Sequence, residues 1–341
     1  MNSPYVFLAF LMLCFAAEER KHLWDSRLPP RLQWLQNDGY CGEVSLTMAL
    51  MRLGGGYISQ YDARAIAAIT PGEIQTSKFY LVGVNDQRAA KLLKLNFEEF
   101  DNSGSVDPRR YLSWVKAMVR RGHAVTITVF MNYYMFYGKR QGGEADYDHI
   151  VSVSSISSDY DDDLYHDDDV LTLEDHGLWA PRSKPVYLFS YTFGEFIATR
   201  AKANAASNLN VYSLPDSPDN GNFGVAHISI VDTDGEALPI LVETSANYED
   251  PHIKNGSEKR PAPMDLVLTV TVSGLEAGAT YKLYKYNDEN RVPTSAFNTN
   301  SLGGAAISTR DISSSSGSYL FTEAIKSNEK VFYRCVRSDA K

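Results

Sequence analysis

Three residues far apart in the chain, Cys41, His149 and Asp175, have the types and local settings that nucleophilic chemistry at a thiol requires. Cys41 follows Gln36-Asn37-Asp38-Gly39-Tyr40 and opens a stretch with Val44, Met48 and Met51 at helical spacing, stopped by Gly54-Gly55-Gly56. This pattern predicts a helix with Cys41 as its first residue. Unpaired N–H groups and the positive dipole end favour a thiolate there, and the thiolate is the nucleophile. The same position also suits a small buried side chain. His149 begins the apolar run Ile150-Val151-Ser152-Val153, which places its imidazole at a sheet end. Asp175 follows Leu171 and Leu173 at period two, so its carboxylate is expected on the apolar side, where a buried charge needs a partner. A thiol, a base within reach and a third group that orients the base are the parts of a cysteine hydrolase.

Several neighbours compete for these roles. Glu174 is the alternative carboxylate, and Glu43 would oppose ionisation of Cys41 unless it turns outward. His123 precedes its strand, and His176 is expected on the face opposite Asp175, so neither is assigned a role. Asp159, Asp161, Asp162, Asp163, Asp167, Asp168 and Asp169 crowd around His166. Such a run can hold calcium, but it lacks the spacing and turning glycine of a calcium loop and reads better as a solvated charge run. A zinc role for His166 and His176 lacks supporting cysteines. No cofactor and no metal are therefore expected. Met131 to Tyr137, with Lys139-Arg140-Gln141-Gly142-Gly143 after it, suits either a substrate groove or an extension of a core strand.

Helices and strands must bring these groups together. A second amphipathic piece is expected near Asp62 to Ile69. A third helix is capped by Asp107, opened by Pro108, faced by Tyr111, Val115, Met118 and Val119, and ended by Gly122. Strands are expected at Ala124 to Phe130, His149 to Ile156, Val170 to Glu174 and Val186 to Tyr191. From about residue 210 helical periodicity gives way to turns and alternation, as in Leu266, Leu268, Val270 and Val272. Gly274-Leu275, Gly278 and Tyr281 resemble the tyrosine corner of immunoglobulin-like sandwiches. The expected class is α+β, with a secretory signal at 1–17, a mixed domain at 27–205 and an all-β, sandwich-like domain at 210–341.

The chain has 341 residues and a formal net charge of −9. That balance, with no basic run, argues against nucleic acid as a partner. Tyr5 to Ala17 is apolar but shorter than a membrane span, and small residues precede Glu18-Glu19-Arg20-Lys21, so secretion is expected, with no integral membrane segment after signal removal. Cys41 and Cys335 then remain; a bridge between them would block the proposed nucleophile. Asn255-Gly256-Ser257 is one acceptor for N-linked glycan.

The order Gln, Cys-Gly at a helix start, His opening a strand and Asp on the next strand resembles the papain-like cysteine peptidases. The branch containing bacteriocin-processing leader peptidases and phytochelatin synthases is the most similar, over roughly residues 30–200. The resemblance implies Cys41 as nucleophile, His149 as general base and later acid, Asp175 as the group fixing the imidazole tautomer, and Gln36 with the Cys41 N–H as oxyanion donors. Gln36 stands five residues before Cys41, where that branch more often has six. The expected activity is hydrolysis or acyl transfer at peptide or isopeptide bonds of a peptide or protein substrate, with an extracellular polymer or cell-surface partner held by the β half. The alternative is an inactive papain-like scaffold that serves as an extracellular binding protein.

Overall fold

Strands β4 (Ala124–Met131), β5 (His149–Ser158) and β6 (Val170–Asp175) carry Val125, Ile127, Val129, Val151, Val153, Leu171 and Leu173 into one core. That core is closed by helix α4 (Pro108–Arg120) through Tyr111, Leu112, Val115, Met118 and Val119. The computed structural model describes residues 20–34, 40–70, 74, 85–101, 106–131, 149–176, 187–197, 212–214, 222–249, 260, 262–297, 305–313 and 316–338. Helix α4 starts as its sequence dictates: the Asp107 carboxylate accepts from the amides of Arg109 and Arg110, Pro108 fills the first turn, and Gly122 takes φ +81° just past the end.

The first sheet is antiparallel throughout, in the order β3 (Leu95–Glu99), β9 (Gly224–Ile230), β4, β5, β6, β7 (Tyr187–Thr192). Strand β1 (His22–Asp25) adds to β5, and β8 (Tyr212–Ser213) adds to β4. A bulge between Val153 and Ser155 shifts the alternation of β5 and turns Ile156 inward with Val153. This sheet runs past the boundary expected near residue 210, because β8 and β9 both pair with β4. The all-β half therefore begins after Ile230.

Beyond it, β10 (Ile240–Thr244), β11 (Asp265–Ser273) and β14 (Ser318–Lys326) form one antiparallel sheet. A second sheet runs β13 (Ser308–Ser313), β12 (Thr280–Tyr286), β15 (Val331–Arg337) and β2 (Gly56–Tyr57). Leu268, Val270 and Phe321 of the one pack on Leu283, Ile312 and Cys335 of the other, which makes a sandwich. The Tyr281 hydroxyl accepts from the Glu276 amide at 2.8 Å, the corner that Gly274 to Tyr281 anticipates. Strand β2 comes from the first half of the chain. Gly56 makes that pairing possible, since a Cβ there would lie 2.8 Å from the Val331 carbonyl oxygen.

Helix α1 (Cys41–Leu53) lies between the two halves. It packs on β4, β5 and β9 from one side and on β2, β10 and α2 (Gln60–Ala67) from the other. Every residue from Cys41 to Met51 is buried. Its hydroxyls are satisfied along the helix: Ser45 donates to the Cys41 carbonyl and Thr47 to that of Glu43. The fold is thus α+β with antiparallel sheets. Among the described residues no helix is long and apolar enough to cross a membrane, and Tyr5 to Ala17 and Asn255 lie outside them.

The acidic run between β5 and β6 is clasped by bases. Lys116 of α4 donates to Asp169 at 2.8 Å, both side chains fully buried, and also reaches Asp162, the Ser158 hydroxyl and the Leu164 carbonyl. Arg20 bridges Asp159 and Asp168, and Arg120 holds Asp161 and Asp163. Most of these carboxylates stay solvent-accessible, as the sequence suggests, while their ion pairs and the buried Asp169 tie the β5–β6 connection to α4 and to Arg20 ahead of β1. Removing one member of a buried pair strands the other charge. Lys116→Met should therefore lower stability by about 3 kcal/mol, and adding Asp169→Leu should recover most of it, read from urea midpoints.

Candidate functional site

Cys41 begins α1, 5 % exposed, and packs with Ile150 of β5 and Phe223 just before β9. The strand-paired main chain of β5 presents the Ile150 N–H to the thiol, and the Gly42 N–H supports it from the helix start. Phe223 is fixed through its carbonyl, which accepts from the Tyr111 hydroxyl at 2.7 Å and from the Thr128 amide. Gly224 is required beside it, since a Cβ would come 2.8 Å from the Trp114 ring. A cleft of about 710 Å³, walled in part by Arg88, Lys91 and Phe100, reaches Phe223 as well.

The electrostatics of the thiol differ from the helix-terminus expectation. Burial, with the Glu43 charge adding to it, pushes the Cys41 pKa up to about 12 against the opposing pull of the Ile150 N–H, Arg64 and the Gly42 N–H. Two favourable amides cannot offset the loss of solvent around a charged sulfur. Glu43 does not turn outward: it is fully buried and accepts from Arg64 Nε at 2.7 Å. The Arg64 guanidinium also lies 3.6 Å from the centre of the Tyr40 ring. Desolvation pushes the Glu43 pKa up and Arg64 draws it back. Cys335 is buried in the sandwich core, and both cysteines are free, so no bridge blocks Cys41.

His149 is the first residue of β5, as the sequence predicts, and is 2 % exposed. Strand alternation sends its imidazole away from the side on which Ile150 meets Cys41. The ring stacks on Tyr212 with centroids 5.6 Å apart, Nε2 makes no hydrogen bond, and none of the hydrogen bonds among the described residues joins it to the thiol. Nucleophile and base therefore flank one peptide link, His149 to Ile150, without touching. Burial and then the neighbouring His176 hold the His149 pKa well below its ordinary value. His176, given no role from the sequence, is fully buried 6.3 Å from His149 between ring centres. Its Nε2 lies 3.3 Å from the Ser152 hydroxyl and its carbonyl accepts from the Gln33 amide at 2.6 Å. A histidine one residue past a strand end gives no sequence signal for such a pairing.

Asp175 ends β6 opposite Tyr187, and its side chain lies outside the described residues, as do Gln36 and residues 132–148. Glu174, the alternative carboxylate, is buried on β6 opposite Ser152. Among the described residues no group of three or more His, Cys, Asp or Glu is arranged to hold a metal ion. The comparisons with known proteins returned no matching family model, no matching curated protein and no matching solved structure.

A thiol with a pKa near 12 is protonated at neutral pH. Alkylation of Cys41 by iodoacetamide at about pH 8 should run well below the rate of a free cysteine and should climb with pH without levelling by about pH 10, followed by peptide mass mapping. Three buried imidazoles set the acid limit of the fold, His149 with its lowered pKa among them. Burial draws His176 down to about 3 and His227, neither of whose nitrogens has a partner, down to about 4. In the unfolded chain these rings take up protons near 6.5, so stability is undiminished above that value and falls as the pH drops toward 4. His227→Leu should make the fall shallower by up to about 1.4 kcal/mol per pH unit, measured as denaturation midpoints across that window.

Proposed function

We propose that the chain is a cysteine-dependent hydrolase or acyl transferase with a papain-like catalytic half, acting on peptide or isopeptide bonds. One observation carries this reading: Cys41 starts the central buried helix with its thiol on the Ile150 amide, one peptide link from the imidazole of His149. Because the thiol is neutral at rest, it is not half of a standing ion pair. The Cys41 sulfur attacks the carbonyl carbon as its proton passes to His149; for that, the start of β5 must turn over and carry the imidazole from Tyr212 on one face of the sheet to the Cys41 side. The C–N bond then breaks, the leaving amine takes the proton from His149, and a thioester remains on Cys41. Water or an amine resolves it, again giving its proton to His149. The Cys41 N–H and Gln36 stabilise the oxyanion, and Asp175 orients the imidazole. The reading includes export of the chain, with the β-sandwich holding an extracellular polymer or cell-surface partner beside the site.

The burial and high pKa of the thiol favour a second reading, an inactive scaffold that binds an extracellular partner. Incubation with a mixed peptide-amide library, acid quenching and intact-mass measurement separates the two. The enzyme gives an acyl adduct on Cys41, and both Cys41→Ala and His149→Ala lower turnover by at least about a thousandfold. Turnover that survives Cys41→Ala overturns the enzymatic reading. Peptide binding with neither adduct nor turnover establishes the scaffold.

A further inference from the structure

The segment just before the candidate nucleophile is gripped from the second half of the molecule. Residues 31–34 have no helix or strand of their own, yet their main chain is bonded on three sides. The Leu32 amide donates to the Asn247 carbonyl at 2.6 Å, and the Gln33 amide donates to His176 at the end of β6. Gln60, the first residue of α2, closes the third side: its Nε2 donates to the Leu32 carbonyl at 2.9 Å and its Oε1 accepts from the Trp34 amide at 2.8 Å. Trp34 then packs on Tyr40 with ring centres 5.0 Å apart, and Tyr40 is the residue that caps α1 immediately before Cys41.

What holds Gln60 and the head of this segment is Glu249, beyond β10. Its carboxylate accepts from the Gln60 amide at 2.9 Å and from Arg31 at 3.4 Å, with both charged side chains almost wholly buried. Arg31 also donates to the Thr244 hydroxyl and the Ala246 carbonyl, so it belongs to the same bend of chain. The Glu249 carbonyl accepts from the Ser327 hydroxyl at the end of β14, anchoring the residue to the sandwich.

We propose that Glu249 is a positioning residue for the reaction at Cys41, through which the docked β-sandwich fixes residues 31–34 and, through Trp34, the Tyr40 ring at the start of α1. The inference rests on the function proposed above, and it makes the second half a working part of the site. Ionised Glu249 matches Arg31 and Gln60; protonated, it leaves the buried Arg31 charge unmatched and loosens the grip on Leu32 and Trp34. The groups facing the carboxylate are Arg31 from the amino-terminal segment, Asp62 from α2, which is itself held by Ser59 and Arg260, and Tyr57 from β2. Burial, with Asp62 adding to it, outweighs Arg31 and Gln60 and lifts the Glu249 pKa to about 7. The clamp is therefore engaged above neutrality and released below it.

Amide hydrogen exchange on the full-length wild-type chain, corrected for intrinsic rates, tests this at about pH 6 and about pH 8. Protection of Leu32, Gln33 and Trp34 should drop roughly tenfold at the lower pH, as expected for weakening of one hydrogen bond to a charged group, while β11 and β14 stay unchanged. Glu249→Gln should show the low value at both pH values. It should also lower kcat about tenfold with KM steady, and remove the inflection near 7 from the kcat profile. Equal protection of residues 32–34 at both pH values in the wild type overturns the clamp, and so does parallel loss throughout the sandwich. The exchange arm needs no turnover and no variant. If Cys41→Ala retains activity, the proposed function fails while the clamp stands; if it loses activity but the exchange is flat, only the clamp fails.

Discussion

The ion pair of Glu43 with Arg64 is the constraint on which the arrangement depends. A carboxylate in the first turn of a helix buried all round is tolerated only because a guanidinium, itself fully buried, meets it at 2.7 Å. With that charge neutralised, α1 can pass between the first sheet and the sandwich and hold Cys41 on the main chain of β5. Arg64 serves twice, since its other face covers Tyr40 at the helix start. Burial keeps the thiol protonated, and the Glu43 charge beside the sulfur adds to it while Arg64 pulls the other way.

Much of this was legible in the residues. Helix α1 announces itself through apolar spacing and the glycines after it, and α4 through Asp107, Pro108 and Gly122. Strands β5, β6 and β11 follow from alternation, and the tyrosine corner from two glycines and Tyr281. Local signals of this kind are written within a few residues. Helix α3 (Asp86–Leu92) and β3, which follows it after two residues, escaped because no side-chain cap marks the helix and its apolar face is only Ala89 and Ala90 with Leu93. The membership of β9 in the first sheet and of β2 in the last is a long-range fact that no local pattern holds.

At the site the sequence indicated which residues lie near one another but not how they face. Cys41 at a helix start and His149 at a strand start are both as expected, and their elements do meet. Strand alternation decides the remainder: Ile150 rather than His149 points toward the sulfur, and a stacked ring, Tyr212, occupies the imidazole. The direction of the thiol pKa depends on how completely Ile150 and Phe223 cover the helix start. That coverage is set by residues far along the chain from Cys41.

Pairing of Gly56-Tyr57 with Val331-Phe332 has a consequence for the order in which the protein forms. The strand that completes the second sandwich sheet is made long before the neighbour it pairs with. Until that neighbour has been made, Gly56-Tyr57 has no strand to pair with. Acquisition of structure is thus tied to both halves together rather than to successive modules, and a nascent chain stalled short of Val331 presents the unpaired edge at Gly56-Tyr57 to chaperones.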